Sequence, residues 1–218
     1  MAEISASILT VDKEDAISVF YNLETAKIDY FHIDVMDGKF VEKDNVELMK
    51  DYALTISHIS NIGLDVHIMV EDVEFFIDEY LDLEPDSITF HIEATKDEER
   101  TLNAIDEIKR AGSKVGISIS PATPVEEIIP YLDKVHKVLV MTVVPGKGGQ
   151  KLIPETLDKV RTIKDYIEKN NIDIDIEVDG GINDTTCEDA KEAGANILVV
   201  GSYLVSSDNY KETILKLK

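Results

Sequence analysis

The chain contains 218 residues, of which 44 are acidic and 22 are basic, and its formal net charge is -22. This length suits one large domain, and the negative charge disfavours binding to nucleic acid or to an anionic membrane surface. The single cysteine, Cys187, excludes an internal disulfide and fits a reducing compartment. No apolar run reaches the ~18 residues of a membrane span, and the first residues lead directly into a predicted strand. We therefore expect a cytoplasmic protein without nucleic-acid or membrane partners.

Apolar runs alternate with amphipathic segments along the whole chain, and this alternation predicts eight strand-then-helix units. The predicted strands cover residues 4–9, 30–36, 64–70, 86–91, 114–120, 137–143, 173–178 and 197–200. The predicted helices cover residues 11–27, a short segment from Val46, 73–81, 97–110, a segment opened by 121–124, 154–170, 184–193 and 209–217.

The pattern of these units predicts the fold class. Strands such as Val138–Met141 and Ile197–Val200 are apolar on both faces, as in parallel strands that helices cover. We predict an α/β protein in which residues 1–218 form a single-domain TIM (β/α)8 barrel. A doubly wound sheet is the alternative, but its first loop should carry a GxGxxG fingerprint, and Ser5–Leu9 reads SASIL.

Polar residues stand at the predicted carboxyl ends of three strands, where active sites lie in such barrels. His32 and Asp34 share one face of the second strand, because successive side chains alternate between faces. His67 ends the third strand and Asp179 the seventh. Two imidazoles and two carboxylates are a suitable donor set for a divalent metal ion, so these four residues are the predicted metal site.

Other polar residues are interpreted structurally. The three remaining histidines are His58, His91 and His136. A lone histidine is more often a satisfied structural side chain than a ligand. Asp65 shares a face with His67 and is interpreted as a buried carboxylate that needs partners. Asp37 precedes Gly38, and we interpret it as a turn former.

Glycines cluster after strands six, seven and eight, where barrels often bind phosphate through backbone amides. The predicted phosphate-binding residues are Gly146, Gly148, Gly149, Gly180, Gly181, Gly201 and Ser202. Oriented amides could bind an anion locally despite the net negative charge.

Methionines end strands two, three and six. Met36, Met69 and Met141 either fill gaps in the core or form an apolar wall beside the site.

Several segments, taken in chain order, resemble one enzyme family. They are Ser5–Leu9 (SASIL), His32–Gly38 (HIDVMDG), Asp65–Met69 (DVHIM), Pro121–Pro124 (PATP), Met141–Gly146 (MTVVPG), Gly148–Gln150 (GGQ) and Glu177–Ile182 (EVDGGI). Together they make the chain similar to the ribulose-phosphate 3-epimerase family from Ser5 to Ser202. The resemblance implies a TIM barrel that epimerises C3 of a phosphorylated ketose, foremost D-ribulose 5-phosphate to D-xylulose 5-phosphate.

The resemblance also implies roles for individual residues. His32, Asp34, His67 and Asp179 would hold one divalent ion, Zn2+ or Fe2+ first, with Mn2+ or Co2+ as further candidates. Asp34 and Asp179 would be the acid/base pair, acting through a metal-stabilised enediolate. Ser7 and His67 would contact the substrate, together with the methionines and the glycine loops. We also expect a homo-oligomer.

The sequence departs from the usual family pattern at residues 39–44, at Lys147, where an aromatic residue is usual, and at Tyr203, where a small residue is usual. These departures leave the identity of the sugar open, and D-allulose 6-phosphate is the alternative substrate.

A Schiff-base aldolase is disfavoured because Val140–Val143 offers no lysine. A hexulose-phosphate synthase or related decarboxylase is disfavoured because Asp34–Asp37 also lacks one. Outside the enzymes, a non-catalytic phosphosugar-binding barrel is the alternative.

Overall fold

Eight parallel strands, hydrogen-bonded in sequence order, form a closed barrel in the computed structural model, which describes residues 2–218. The strands are β1 Glu3–Ser7, β2 Tyr30–Met36, β3 Gly63–Met69, β4 Ser87–His91, β5 Lys114–Ile119, β6 Lys137–Met141, β7 Asp175–Asp179 and β8 Ile197–Val200. Ala6 lies opposite Val200, and this pairing of β1 with β8 closes the barrel. The predicted (β/α)8 fold is confirmed.

Helices surround the barrel and follow its strands. They are α1 Ala16–Thr25, α2 Val46–Ile59, α3 Val73–Leu81, α4 Ile92–Thr95, α5 Glu98–Arg110, α6 Thr156–Asn170, α7 Cys187–Ala193, α8 Ser202–Val205 and α9 Tyr210–Leu217. The short helices α4 and α8, which directly follow β4 and β8, were not predicted. Within residues 2–218, no helix combines the length and the apolar character that a membrane span requires.

Helix α5 illustrates how local sequence sets these elements. The Asp97 side chain accepts a hydrogen bond from the Arg100 amide and caps the first turn. Acidic residues occupy that turn and basic residues the last one, as the helix dipole favours. Gly112, at φ +92°, then turns the chain towards β5. Ala104 and Ile108 lie on the buried face of the helix.

The segment after Pro121–Pro124 does not form the predicted α-helix. It contains two short 3-10 turns, Val125–Glu127 and Ile129–Tyr131. Pro130 has no amide hydrogen to donate, and its ring would clash with the preceding helical turn, so a continuous helix cannot pass this point. That prediction was wrong.

The predicted helix 11–27 is shorter in the structure, because α1 begins at Ala16. Before it, the Asp15 amide donates to the Asp12 carbonyl, so the polar residues 12–15 form a turn. The predicted strand 137–143 ends at Met141, since Thr142 leaves the sheet. The helix from Val46 was predicted to be short, but α2 runs for 14 residues to Ile59. The other predicted ends that differ do so by at most three residues.

The two faces of the barrel strands differ in chemistry. Outward residues such as Ile33 and Val66 pack against the helices in one continuous apolar core. The inward positions carry buried polar groups instead, namely Ser5, Ser7, His32, Asp34, Asp65, His67, Ser87, Thr89, His91, Ser118, Lys137 and Glu177. Burial of an unpaired polar group costs free energy, so these side chains are expected to pair with one another inside the barrel.

Candidate active site

A cleft of about 670 Å³ opens at the carboxyl end of the barrel. The predicted site residues that line it are Ser7, Asp34, Met36, Met69, Met141, Gly146, Gly148, Gly149, Asp179, Gly180, Gly181, Gly201 and Ser202. His32 and His67 lie beneath the cleft and are fully buried. The volume is typical of small-molecule sites.

Four of the predicted residues converge at the floor of this cleft. His32, Asp34, His67 and Asp179 each contribute one ligand-type atom, and these atoms lie within 4.8 Å of one another. The pairing of β2 with β3 places Asp34 directly opposite His67, and Asp179 arrives from β7. Nitrogen and carboxylate oxygen donors at this separation fit a divalent transition-metal ion.

The orientation of His32 supports that fit. Its Nδ1 lies 2.8 Å from Oδ2 of Asp65, whereas its Nε2 faces Oδ1 of Asp34 at 3.4 Å. Among the described residues, this buried Nε2 has no well-aligned hydrogen-bond partner. Burial lowers the pKa of His32, but the Asp34 and Asp65 carboxylates outweigh it and raise that pKa well above its usual value. Ligation through Nε2 would therefore release a proton.

Asp65 organises the buried layer below the site. Its carboxylate accepts hydrogen bonds from Ser5, Ser87 and Lys137. Burial opposes its charge, but the Lys137 ammonium and the His32 imidazole hold the pKa of Asp65 well below its usual range. The interpretation of Asp65 as a buried group with partners is confirmed.

Two members of this layer, Lys137 and Glu177, were not predicted from the sequence. The Lys137 ammonium lies 2.7 Å from the Glu177 carboxylate and also pairs with Asp65. Burial and the Asp65 charge raise the pKa of Glu177 to about 8. A lysine at the start of an apolar strand, one strand from an inward glutamate, was the available signal.

His67 contacts His91, which the sequence pattern had suggested was structural. Nδ1 of His67 lies 3.3 Å from Oδ1 of Asp34 and 3.9 Å from Oδ2 of Asp179. Its Nε2 lies 3.0 Å from Nε2 of His91. Burial lowers the pKa of His67 to about 4, which favours the neutral imidazole that metal ions bind.

The two aspartates have opposite pKa shifts. Burial disfavours ionisation of Asp34, but the neighbouring His32 outweighs it and holds the pKa of Asp34 well below its usual range. Burial and the Asp34 charge raise the pKa of Asp179 to about 7. Near neutral pH, one carboxyl is therefore ionised while the other can hold a proton.

Ser7 fixes the second oxygen of Asp34. The Ser7 hydroxyl donates a 2.7 Å hydrogen bond to Oδ2 of Asp34, which leaves Oδ1 directed towards the two histidines. Ser7 lies opposite His32 in the pairing of β1 with β2. The strand register thus brings the hydroxyl to the carboxylate.

The glycine loops bring backbone close together at one side of the cleft. Gly181 has φ +70°, and a Cβ there would lie 2.2 Å from the backbone nitrogen of Leu152. Only glycine fits that approach. Among the described residues, the amides of Gly148, Gly149 and Gly181 donate no hydrogen bond outside regular elements. Free amides beside a cleft are suited to binding an anion.

The methionines satisfy both interpretations. Met36 and Met69 are opposite one another in the register of β2 and β3, both are buried, and both line the cleft. Met141 belongs to a small apolar cluster inside the barrel with Leu139, Val143 and Val199. These side chains fill the interior and also form an apolar wall beside the carboxylates.

Two of the residues that depart from the family pattern lie at the cleft. Lys147 and Tyr203 line the cleft. Lys39 lies in a loop held by Asp37, whose carboxylate accepts hydrogen bonds from the amides of Lys39, Phe40 and Glu71. The interpretation of Asp37 as a turn former is confirmed.

Comparisons with known proteins agree with this geometry. Residues 3–205 match the sequence profile described as the Ribulose-phosphate 3 epimerase family. The chain belongs to the ribulose-phosphate 3-epimerase family. It is therefore an isomerase of the epimerase type, as the sequence predicts.

Relatives cover the whole chain. A protein of Methanocaldococcus jannaschii named ribulose-phosphate 3-epimerase is 40% identical over 218 residues, which are 100% of this chain and 90% of the relative. The protein of that name from Bacillus subtilis is 36% identical, with 100% of this chain and 99% of the relative covered. A cytoplasmic isoform from rice is 35% identical over 100% of this chain and 93% of its own length.

Solved structures of other enzymes share the fold. A 3-hexulose-6-phosphate synthase superposes with a TM-score of 0.73 at 12% identity, covering 99% of this chain and 97% of its own. A Mycobacterium tuberculosis tryptophan synthase chain has a TM-score of 0.66 at 14% identity, with 99% and 91% covered. At these identities, the likeness concerns the barrel alone.

Proposed function

We propose that this protein interconverts D-ribulose 5-phosphate and D-xylulose 5-phosphate by inverting C3. The observation that carries the proposal is the pair of carboxyl groups at the cleft floor, Asp34 and Asp179, which reach it from different strands. Inversion beside a carbonyl requires one group to remove a proton from one face and another to return a proton to the other. An ionised and a protonated carboxyl, supplied by different strands, suit those two tasks.

The proton exchange can be written for the direction in which Asp34 is the base. Its carboxylate takes the C3 proton, and the C–H electron pair moves towards the C2 carbonyl, giving an enediolate. Asp179 then gives its proton to the opposite face of C3. Each turnover leaves Asp34 protonated and Asp179 ionised, so the reverse reaction starts from Asp179 and the roles exchange.

The buried residues below the cleft are suited to hold one divalent cation. Nε2 of His32, Nδ1 of His67 and one oxygen each from Asp34 and Asp179 would hold it, with Zn2+ or Fe2+ foremost and Mn2+ or Co2+ as further candidates. When bound, such an ion supplies positive charge that offsets the negative charge developing on the substrate oxygens. Ser7 holds the Asp34 carboxylate in place, and the methionine wall limits access of water.

The glycine loops would hold the phosphate of the substrate. The amides of Gly148, Gly149 and Gly181, together with the first turn of α8 after Gly201, face the same cleft as the aspartates. Binding the remote phosphate would supply the energy that positions C3 between the two carboxyls. The high negative charge of the chain makes such a local anion site necessary.

The named relatives favour the five-carbon substrate, and D-allulose 6-phosphate is the second candidate because Lys147 and Tyr203 alter the mouth of the cleft. Turnover of the two sugar phosphates by the purified protein, with the C3 epimer of each detected separately, tests the proposal. We expect a higher kcat/KM for ribulose 5-phosphate. A higher value for allulose 6-phosphate would replace the substrate, and no turnover of either would favour a binding protein.

We also propose a cytoplasmic location, because the rice relative is named a cytoplasmic isoform, and phosphorylated sugars are metabolised there. The expected homo-oligomer stays a prediction. Native mass spectrometry of the purified chain would measure its state.

A further inference from the structure

His91 and Glu93 extend the buried polar network sideways from His67, beyond the four ligand-type residues. Nε2 of His91 lies 3.0 Å from Nε2 of His67, and Nδ1 of His91 lies 3.0 Å from Oε2 of Glu93. His91 is fully buried and does not line the cleft. It therefore acts on the site only through His67.

The hydrogen bonds of Glu93 set the direction of this network. Its Oε1 accepts from the Ser120 amide at 2.7 Å and from the Thr123 hydroxyl. An ionised carboxylate only accepts, so its Oε2 must receive the proton of Nδ1 on His91.

With both imidazoles neutral, each following nitrogen is assigned in turn. A neutral imidazole has one donor and one acceptor nitrogen. His91, which donates through Nδ1, must accept through Nε2, so His67 donates through its own Nε2. The Nδ1 of His67 is left with its lone pair, and this atom faces Oδ1 of Asp34 at 3.3 Å. A cation between the two groups would use that lone pair, whereas the bare Asp34 carboxylate would favour a proton on Nδ1, so this network acts against Asp34 until a cation binds.

We propose that Glu93 and His91 form a hydrogen-bond relay that favours the His67 tautomer protonated on Nε2, so that Nδ1 of His67 presents its lone pair to a divalent cation. The proposal rests on the metal site of the proposed function. Glu93 and His91 are positioning residues in it, and they touch neither substrate nor metal.

Surrounding contacts hold the relay rigid. The Phe40 ring packs on His91 with centroids 4.8 Å apart. Lys159 donates to the carbonyls of Ser120 and Thr123, the two residues that donate to Glu93. His32 is held by a separate network through Asp65 at the lower layer. The two candidate histidine ligands are thus oriented from different parts of the barrel, one through Nδ1 and the other through Nε2.

Glu93→Gln tests the relay because it reverses its polarity with almost no change of shape. The Ser120 amide can only donate, so the carbonyl oxygen of the new glutamine must face it. The glutamine amide group then points at Nδ1 of His91 and forces that nitrogen to accept. His91 must carry its proton on Nε2, opposite the proton on Nε2 of His67, and His67 is driven to the tautomer with a protonated Nδ1.

We expect Glu93→Gln to weaken Zn2+ binding, measured by competition with a chromogenic chelator at fixed pH, by about 10- to 100-fold. Glu93→Ala removes the partner without reversing the polarity, so it should weaken binding less. A role in packing alone predicts the opposite order, because glutamine preserves shape and alanine does not. Nitrogen-15 NMR of the metal-free protein should find a larger share of the His67 ring proton on Nε2 in the wild type than in Glu93→Gln.

A second pair of variants keeps the test open if Glu93→Gln does not fold. His91→Gln can accept from His67 and donate to Glu93, and should bind Zn2+ nearly as tightly as the wild type. His91→Leu can do neither and should bind about 10- to 100-fold more weakly. The control is His136→Gln, since Nδ1 of His136 accepts from the Val115 amide, away from the relay. It should lower stability without changing Zn2+ affinity.

The outcomes separate this proposal from the proposed function. Wild-type Zn2+ affinity in Glu93→Gln and in His91→Leu would overturn the relay, as would weaker binding by Glu93→Ala than by Glu93→Gln with the His67 tautomer unchanged. If the wild-type protein binds no divalent ion, the metal role in the proposed function fails, and the relay proposal that rests on it fails too. Tight wild-type binding with unaffected variants contradicts the relay alone.

Discussion

The hydroxyl of Ser7 donates a 2.7 Å hydrogen bond to Oδ2 of Asp34 at the floor of the cleft. This bond stabilises the ionised form of Asp34 and leaves its other oxygen turned towards His32 and His67. A serine on one strand thus fixes the proposed base on the next.

Replacing Ser7 with alanine should lower kcat more than it lowers stability. A hydrogen bond to a charged group contributes about 1.5–3 kcal/mol, which corresponds to roughly 10- to 100-fold in rate if the bond is needed in the transition state. Steady-state kinetics and urea unfolding would be measured on the same samples. Ser113→Ala is the matched control, because that buried hydroxyl donates to the Pro85 carbonyl, outside the cleft. Equal kcat in the two variants would contradict the role of Ser7.

Removal of divalent ions should abolish turnover. This prediction rests on the ligand-type atoms of His32, Asp34, His67 and Asp179, which lie within 4.8 Å of one another. Elemental analysis of protein purified without chelator should find about one zinc, iron, manganese or cobalt ion per chain, and adding Zn2+, Fe2+, Mn2+ or Co2+ after chelation should restore activity. Turnover that persists after complete removal of metal would exclude the proposed site.

Gly181 should be essential for binding the phosphorylated sugar. A Cβ at this position would lie 2.2 Å from the backbone nitrogen of Leu152, so Gly181→Ala must displace the loop. We expect a higher KM for the sugar phosphate. Gly112→Ala is the control, because Gly112 has φ +92° but a Cβ there would meet no atom within 4 Å, so this variant measures backbone strain alone. Dephosphorylated ribulose should be a very poor substrate for the wild type. Comparable kcat/KM for ribulose and its phosphate would refute the anion site.

Ionised Glu93 should stabilise the folded protein near neutral pH, and this stabilisation should be lost in acid. Burial opposes its charge, but hydrogen bonds from His91, Thr123 and Ser120 lower the pKa of Glu93 to about 2. The unfolded chain therefore binds the proton more readily, and the stabilisation is fully present above about pH 4.5 and is lost as the pH falls towards 2. The difference in unfolding free energy between the wild type and Glu93→Gln should shrink by a few kcal/mol over that range. A difference that is constant from pH 5 to pH 2.5 would argue against this shift.

The sequence was sufficient for the barrel and for the four converging residues, because strand alternation and the common carboxyl edge are local rules that fix which side chains meet. It was not sufficient for His91. The alternation of side chains along β4 turns that residue inward. Its partner Glu93 lies past the end of the strand, in a short helix that the apolar pattern does not predict. Lys137 was missed for a related reason, since its partners Asp65 and Glu177 come from other strands and meet it only once the barrel closes.

The segment after Pro124 shows a different limit. Pro124 suits the first turn of a helix, and the residues after it have helical character, but Pro130 prevents the backbone bonds that a helix needs. The result is two 3-10 turns. Pro130 thus outweighed the helix-start signal of Pro124, although both residues were visible in the sequence.

Asp34 and Asp179 are proposed to exchange protons with opposite faces of C3, and hydrogen exchange with deuterated water measures this directly. Asp34→Asn and Asp179→Asn keep the side-chain shape but cannot carry the proton, and metal content is measured on the same samples. With Asp34 as the base for one epimer, Asp179→Asn should abolish epimerisation while that epimer still incorporates deuterium at C3. Asp34→Asn should block that incorporation and spare exchange from the opposite epimer. Epimerisation at the wild-type rate by both metal-loaded variants would contradict the two-carboxylate account.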